Sequence, residues 1–447
     1  MSDLLEVCRR VAAMAGRGEQ VEAYAVHRRD TDVRAYEGDV ESLSAAEAEG
    51  VGIRVVVDQR QGFAYAGSLA DDVVAETLAE ARDNAELATP DEHAGLAAPD
   101  GVAPPDLDVW RESLAGVPTD DKVAMAVELE RAVRSADPRI AGVRSADYSD
   151  VLAEVAIASS TGVAAASRWT ACTISVQALA SEAGETQVGT GWSVGREFGD
   201  LDVSEAAARA VERSTRMLGA SKPPSARVTV VLDPLVTARF LGVLSAVLNG
   251  EAVSKGRSFF AGRVGETVGA SIVTLVDDPT NPLAYSAAAV DAEGLASRRN
   301  VLVDGGVLKG FVHNTTTGRR TGEGSTGSAV RAGYKSVPSV GCRALGLMPG
   351  DRSQEELLAD VGEAVFVQGV SGLHSGVNPV SGDFSTGASG LRVRDGELAE
   401  PVREFTIAST LQRMLQDVAA IGNDVDWQLG AAAGATLVIR DVTVSGT

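Results

Sequence analysis

Cysteine is scarce in this sequence, and the three cysteines are widely separated. Cys8, Cys172 and Cys342 are odd in number and show no CxxC spacing. This pattern argues against a disulfide framework and against a cysteine metal knuckle. Reduced, mostly buried thiols are therefore expected.

Histidine is equally scarce, and the usual catalytic signatures are missing. No two of the four histidines have the spacing of metal ligands on a helix or loop, and there is no HExxH motif. Since a zinc site needs three or four ligands, a self-contained zinc site is not expected. An SxxK motif and a Walker phosphate loop are also lacking, so neither an SxxK-type serine hydrolase nor a P-loop nucleotide-binding enzyme is indicated.

Basic residues are outnumbered, and long apolar runs are absent. Lys and Arg total 40 against 62 Asp and Glu, which gives a formal net charge of −22. A nucleic-acid partner is not expected, because phosphates require a basic surface. No run approaches the roughly 18–20 apolar residues of a membrane span, and the N-terminal segment lacks the apolar core of a signal peptide. The sequence thus predicts a cytoplasmic protein without a membrane or nucleic-acid partner.

The length of 447 residues predicts two domains. The Pro pair in ASKPPSAR (220–227) marks the linker, because proline interrupts helices and strands. Residues 1–220 are predicted to form an α+β domain with a mixed sheet and helices, and residues 228–447 a β-rich, barrel-like domain whose early helix bears Glu251. Within the first domain we expect the elements listed here: strands at 21–28 and 31–38, helices at 69–88, near 119–136 and at 203–219, and an antiparallel meander over 139–195.

The segment LNGEAVSKGRSFF (248–260) follows a helix-like apolar run. Glu251 lies where a zinc peptidase carries the glutamate of its metal-binding helix. Its neighbours at the flanking positions are Gly250 and Lys255, neither of which is a zinc ligand.

Two glycine-rich stretches are the other candidates for contact with a ligand. GEGSTGSAVRAG (322–333) could present backbone N–H groups to an anion, or be a flexible or peptide-contacting loop. GVSGLHSGVNPVSGDFSTGASG (369–390) could bring its backbone close to a ligand, or be turn-rich β structure.

Four segments taken together resemble the TldD/TldE metalloprotease family. They are GVGIRVVVDQRQGFAYAG, DAEGLASRRNVLVDGGVLKGFVHNTTTGRR, STGSAVR and GVNPVSGDFSTGASG. The resemblance extends over nearly the whole chain and is closer to the TldE branch, which is also called PmbA and has been described as a modulator of DNA gyrase.

The resemblance implies a degenerate metal site. TldD-type chains carry HExxxH on a helix, and a late cysteine completes their zinc site. Here the two histidine positions fall on Gly250 and Lys255, only Glu251 remains, and the last cysteine, Cys342, comes too early. An ammonium group at a ligand position repels a divalent cation. No catalytic residue, metal or cofactor is therefore expected in this chain, and Glu251 and Lys255 are either the remnant of a catalytic helix or solvated charges at a helix end.

By the same resemblance, the chain would be the TldE/PmbA-like subunit of a heterodimeric zinc metalloprotease that cleaves unfolded peptides. A TldD-type subunit would supply the zinc, and the two chains would enclose a substrate chamber. The candidates for contact with the substrate or the partner are His313, Ser325, Thr326, His374, Asn378 and Asp383.

Two other functions remain open from the sequence. The chain could be a stand-alone peptidase or hydrolase with a metal-free or atypical site, built from Glu251, His313, His374 and Asp383. It could also be a non-enzymatic regulatory binding protein. These motifs do not identify the physiological peptide. They also do not show whether the chain forms a homodimer, or whether it serves housekeeping proteolysis or a biosynthetic pathway.

Overall fold

The computed structural model describes residues 2–446, without the side chain of Ser2. The N-terminal part is built on one antiparallel sheet in the order β3-β2-β1-β4-β5-β6. Its strands are β1 (Gln20–Tyr36), β2 (Asp39–Val57), β3 (Arg60–Ala66), β4 (Ile140–Ser159), β5 (Ala164–Glu182) and β6 (Glu185–Gly195). The predicted meander over 139–195 is thereby confirmed.

Five helices accompany this sheet: α1 (Ser2–Ala12), α2 (Asp71–Leu87), α3 (Glu112–Ala115), α4 (Thr119–Ala136) and α5 (Val203–Thr215), with a 3-10 turn at Phe198–Asp200. Alternating residues of β1 are buried on opposite faces. Val21 and Ala23 pack under α1 and α2, whereas Tyr24 and Val26 face the C-terminal part of the chain and pack near Leu295. The sheet is therefore a layer between helices and the C-terminal domain.

The predicted break between strands at 21–28 and 31–38 is wrong, because β1 is continuous through this segment. The polar run around Arg29 and Asp30 resembles a turn in sequence. In the structure it is paired on both sides, with Arg29 opposite Glu47 of β2 and Leu152 of β4. Backbone pairing on two edges satisfies the peptide groups, while the charged side chains lie outside the core.

The C-terminal part contains twelve strands: β7 (Ala226–Leu232), β8 (Leu275–Asp277), β9 (Asn300–Asp304), β10 (Val307–Leu308), β11 (Ala329–Val330), β12 (Ser339–Val340), β13 (Leu345–Leu347), β14 (Ala364–Ser371), β15 (Asp383–Arg394), β16 (Glu397–Thr410), β17 (Val418–Ile421) and β18 (Leu437–Ser445). Five of them run in the order β16-β15-β14-β7-β18, and β16 also pairs with β18. This pairing closes a five-stranded barrel and removes the free edges of an open sheet. The predicted α+β fold with a barrel-like C-terminal region is confirmed.

The helices of this part are α6 (Pro234–Ser245), α7 (Gly250–Ser254), α8 (Thr315–Thr321), α9 (Gln354–Val361), α10 (Leu373–Gly376) and α11 (Leu411–Gln416). We expected the early helix to carry Glu251, but that helix, α6, ends at Ser245, and Glu251 lies on the separate α7. Among the helices of residues 2–446, none has the length and apolar character that a membrane span needs. The boundary between domains 1–220 and 228–447 stays a prediction.

Four buried charged side chains join the N-terminal sheet to the C-terminal part. Glu22 of β1 lies opposite Arg54 of β2, and their side chains form an ion pair of 2.6 Å. Arg331 forms a second ion pair with Glu22, and Arg54 lies 3.5 Å from Glu293. All four side chains are at most 2% exposed. Although burial opposes ionisation, Arg54 and Arg331 hold the pKa of Glu22 below its ordinary value.

Glu22→Gln is expected to lower the free energy of unfolding by about 3–5 kcal/mol, because it leaves buried guanidinium groups without their counter-charge. Glu47→Gln is the matched control, since Glu47 pairs with His27 at the surface and its loss should cost at most about 1 kcal/mol. Urea denaturation measures both. Equal effects of the two substitutions would contradict a structural role for the buried network.

Candidate functional site

The segment around Glu251 begins where α6 ends. Asn249 caps α7, and its side-chain oxygen accepts a hydrogen bond of 2.9 Å from the backbone N–H of Ala252. The backbone of Asn249 forms a parallel bridge with Val312, and the N–H of Gly250 donates to the carbonyl of Val312 at 2.9 Å. These bonds place the start of α7 beside the segment that leads into α8.

Gly250 packs directly against the imidazole of His313. A Cβ at position 250 would lie 2.2 Å from Nδ1 of His313 and 3.0 Å from the Cβ of Thr317. Such separations are far below van der Waals contact, so the space that a side chain at position 250 would need is filled. A histidine cannot enter there unless His313 moves.

His313 is fully buried, and neither ring nitrogen has a hydrogen-bond partner in the described part of the chain. The nearest carboxylate is that of Glu323, with Oε2 3.4 Å from Nε2. Burial lowers the pKa of His313, against the opposing effect of Glu323. The imidazole is consequently neutral at neutral pH, and it fills the space next to Gly250.

Glu251 and Lys255 form an ion pair one helical turn apart, as their i,i+4 spacing suggests. Their side chains are 41% and 47% exposed. The ammonium group is therefore held beside the carboxylate that would otherwise act on a metal-bound water.

The zinc ion implied by the resemblance does not fit these residues. Gly250 offers no donor atom, and Lys255 offers an ammonium group. Burial raises the pKa of the Cys342 thiol, with Asp277 contributing, so that a thiolate is disfavoured. Within residues 2–446 there is no group of three His, Cys, Asp or Glu side chains placed to hold a metal.

The other predicted residues fall into separate groups. Ser325 and Thr326 lie at the backbone of His313, whose carbonyl accepts hydrogen bonds from both hydroxyls, at 3.3 and 3.1 Å. Asn378 and Asp383 share a turn beside β15, in which the Asn378 N–H donates to the Asp383 carbonyl at 2.9 Å. His374 is exposed on the short α10. A role for any of them in contact with substrate or partner stays a prediction.

Asp291 and Arg343 line a cavity beside the N-terminal sheet, and neither was singled out by the sequence analysis. Both lie in irregular segments without a recognisable motif. One signal was available in the sequence: Glu22 stands among apolar residues of β1. A carboxylate buried with such residues requires a partner of opposite charge.

Three consecutive family models match this chain. They describe domain 1, the central domain and the C-terminal domain of PmbA/TldA metallopeptidases, over residues 21–85, 112–218 and 225–446. Together with the barrel and the position of α7, these matches show that the chain belongs to the PmbA/TldD family of metallopeptidases.

Individual relatives agree with this membership. The metalloprotease PmbA of Escherichia coli O157:H7 is 26% identical over 404 residues, which cover 90% of this chain and 87% of that protein. A metalloprotease of Methanothermobacter thermautotrophicus is 27% identical over 450 residues, which cover 96% of each protein.

Solved structures share the fold over its full length. A Thermotoga maritima chain described as a modulator of DNA gyrase superposes with a TM-score of 0.90 at 26% identity and covers 98% of this chain and 99% of its own. TldE from Thermococcus kodakarensis superposes with a TM-score of 0.91 at 22% identity and covers 99% of each chain. At that identity, the likeness to TldE concerns the fold.

Gly250→Ala is expected to lower the free energy of unfolding by about 1–3 kcal/mol, because the added methyl group overpacks the site against His313. Gly242→Ala is the control: Gly242 lies in α6 with open space around its missing Cβ, and alanine should stabilise the helix by about 0.5–1 kcal/mol. Thermal or urea denaturation gives both values.

A double-mutant cycle locates the clash. In a His313→Ala background, Gly250→Ala should cost little, so that the two substitutions couple by about 1 kcal/mol or more. Additive effects would show that position 250 is not closed by His313.

Proposed function

We propose that this chain is the TldE/PmbA-like subunit of a heterodimeric zinc metallopeptidase and carries no metal site of its own. In this proposal a TldD-type subunit provides the HExxxH helix, the late cysteine and the zinc. This chain completes the chamber in which an unfolded peptide is cleaved, and the complex acts in the cytoplasm.

The packing of Gly250 against His313 is the observation that carries the proposal. A chain that bound zinc here would need a ligand at position 250, and a Cβ there would lie 2.2 Å from a ring nitrogen. The ion pair of Glu251 with Lys255 supports the same conclusion, because an ammonium group binds the carboxylate that would serve as general base. Both features concern the positions that the family uses for catalysis.

The substrate in this proposal is an extended peptide without sequence-specific recognition. Extended peptides commonly bind by adding a strand to the edge of a sheet, where main-chain hydrogen bonds supply the affinity. A closed chamber would then admit unstructured chains and exclude folded proteins. The net charge of −22 gives no support to direct binding of DNA.

The purified chain alone should not cleave an unstructured peptide, and cleavage sensitive to a chelator should appear once a TldD-type subunit from the same organism is added. Glu251→Gln in this chain should leave the activity of the complex within about twofold. The equivalent substitution of the partner's HExxxH glutamate should lower kcat by about 10²–10⁴-fold, since it removes a general base.

Two outcomes would contradict the proposal. Loss of activity with Glu251→Gln, in a complex that still assembles, would place Glu251 among the catalytic groups. Cleavage by this chain alone that survives a chelator would favour a stand-alone hydrolase. Size-exclusion chromatography of each mixture provides the control for assembly.

A further inference from the structure

A cavity of about 420 Å³ lies between the N-terminal sheet and the C-terminal domain. Val26, Val155 and Ile157 form an apolar wall on the sheet side, and Arg331 and Arg343 lie on the C-terminal side. Its volume is within the range of small-molecule sites, which are mostly apolar with a few directed polar groups. The described residues of α7 and His313 do not line it, so the cavity is distinct from the degenerate metal site.

Arg343 carries a charge that no described carboxylate neutralises by an ion pair. Its Nε donates to the carbonyl of Ser286 at 3.3 Å. Asp277 accepts from the backbone N–H of Arg343 at 2.8 Å and not from its guanidinium. Arg343 is half-buried, and it lines the cavity. Burial lowers the pKa of Arg343, against the weaker opposing effects of Tyr24, Asp291 and Asp277.

Arg331 also lines the cavity, but its side chain is 1% exposed and belongs to the buried ion network. Its Nε donates to the carbonyl of Ala292 at 3.0 Å, and Nη2 binds Glu22. Nη1 is buried without a hydrogen-bond partner. The guanidinium lies over the ring of Tyr24 at 4.6 Å, which fixes its position. A buried donor without a partner is rare in folded proteins.

Asp291, the acidic residue of the cavity, forms no ion pair with Arg343 in the described part of the chain. Asp291 accepts backbone hydrogen bonds from Glu293, Leu295 and Ala329, at 2.9, 3.0 and 3.0 Å. Burial, together with Glu293, raises the pKa of Asp291 to about 7. In the adjoining network, the two glutamates balance Arg54 and Arg331. Arg343 is thus left without an ion-pair partner among the described side chains at the cavity.

We propose that this cavity binds a small monoanion with one carboxylate on an apolar body. The carboxylate accepts from the guanidinium of Arg343, and the apolar body packs against Val26, Val155 and Ile157. The C-terminal residues of an apolar peptide and a free alkanoic acid share this chemistry. The proposal does not depend on the metallopeptidase role, because binding can be measured on this chain alone.

Calorimetric titration of the purified chain with N-acetyl-alanyl-valine, its C-terminal amide and hexanoate tests the proposal. The peptide acid is expected to bind at least about thirtyfold more tightly than the amide, because the amide leaves a buried cation unpaired. Binding of the peptide acid without hexanoate assigns the site to peptide C-termini, and binding of hexanoate assigns it to free acids. Equal binding of acid and amide, or no binding of either carboxylate, overturns the proposal.

Arg343→Met is expected to weaken carboxylate binding by at least about thirtyfold, while the melting temperature of the ligand-free protein stays the same or rises. A purely structural arginine would give the opposite effect on melting. Arg413→Met is the control, since Arg413 is exposed on α11, and it should leave affinity unchanged.

Ala165→Leu provides a second variant, because Ala165 lines the cavity and a larger side chain there should block binding while Arg343 is kept. Full affinity in either Arg343→Met or Ala165→Leu contradicts the assignment.

Discussion

The buried ion network of Glu22, Arg54, Glu293 and Arg331 determines how the two halves of this molecule fit together. Two members come from adjacent strands of the N-terminal sheet, and two come from C-terminal segments. Buried charges are tolerated only when they are paired, and the loss of one partner is far more costly than the loss of a surface pair. The network therefore fixes the register between the sheet and the C-terminal domain, and it forms one side of the cavity at Arg331.

The same network reaches the segment around Gly250 through one carboxylate. Glu293 lies beside Arg54 and also accepts a hydrogen bond of 2.8 Å from the backbone N–H of Thr315, at the start of α8. His313 immediately precedes that helix and packs on Gly250. The contacts that close the space beside Gly250 are thus anchored to the buried core of the protein. A rearrangement of His313 that reopened this position would have to disturb a well-packed and fully buried segment.

The sequence predicted those features that arise from local patterns. Alternation over 139–195 indicated the meander, and helical spacing indicated the helices at 69–88 and near 119–136. The continuity of β1 was missed, because a polar run reads as a turn unless both neighbouring strands are known. The contact of His313 with Gly250 and the cavity at Arg343 join segments that are distant in the chain and follow no period, so only the folded structure reveals them.

The central claim is that this chain cannot hold the metal on which its family's chemistry depends, and zinc per chain tests it most directly. Plasma mass spectrometry would be applied to the protein purified alone, before and after incubation with zinc followed by dialysis. Zinc content far below one per chain in both samples is the predicted result, since the ligand positions carry glycine and an ammonium group. Stoichiometric zinc that survives dialysis would contradict the account, because ligands would then have to come from residues that the structure leaves apart.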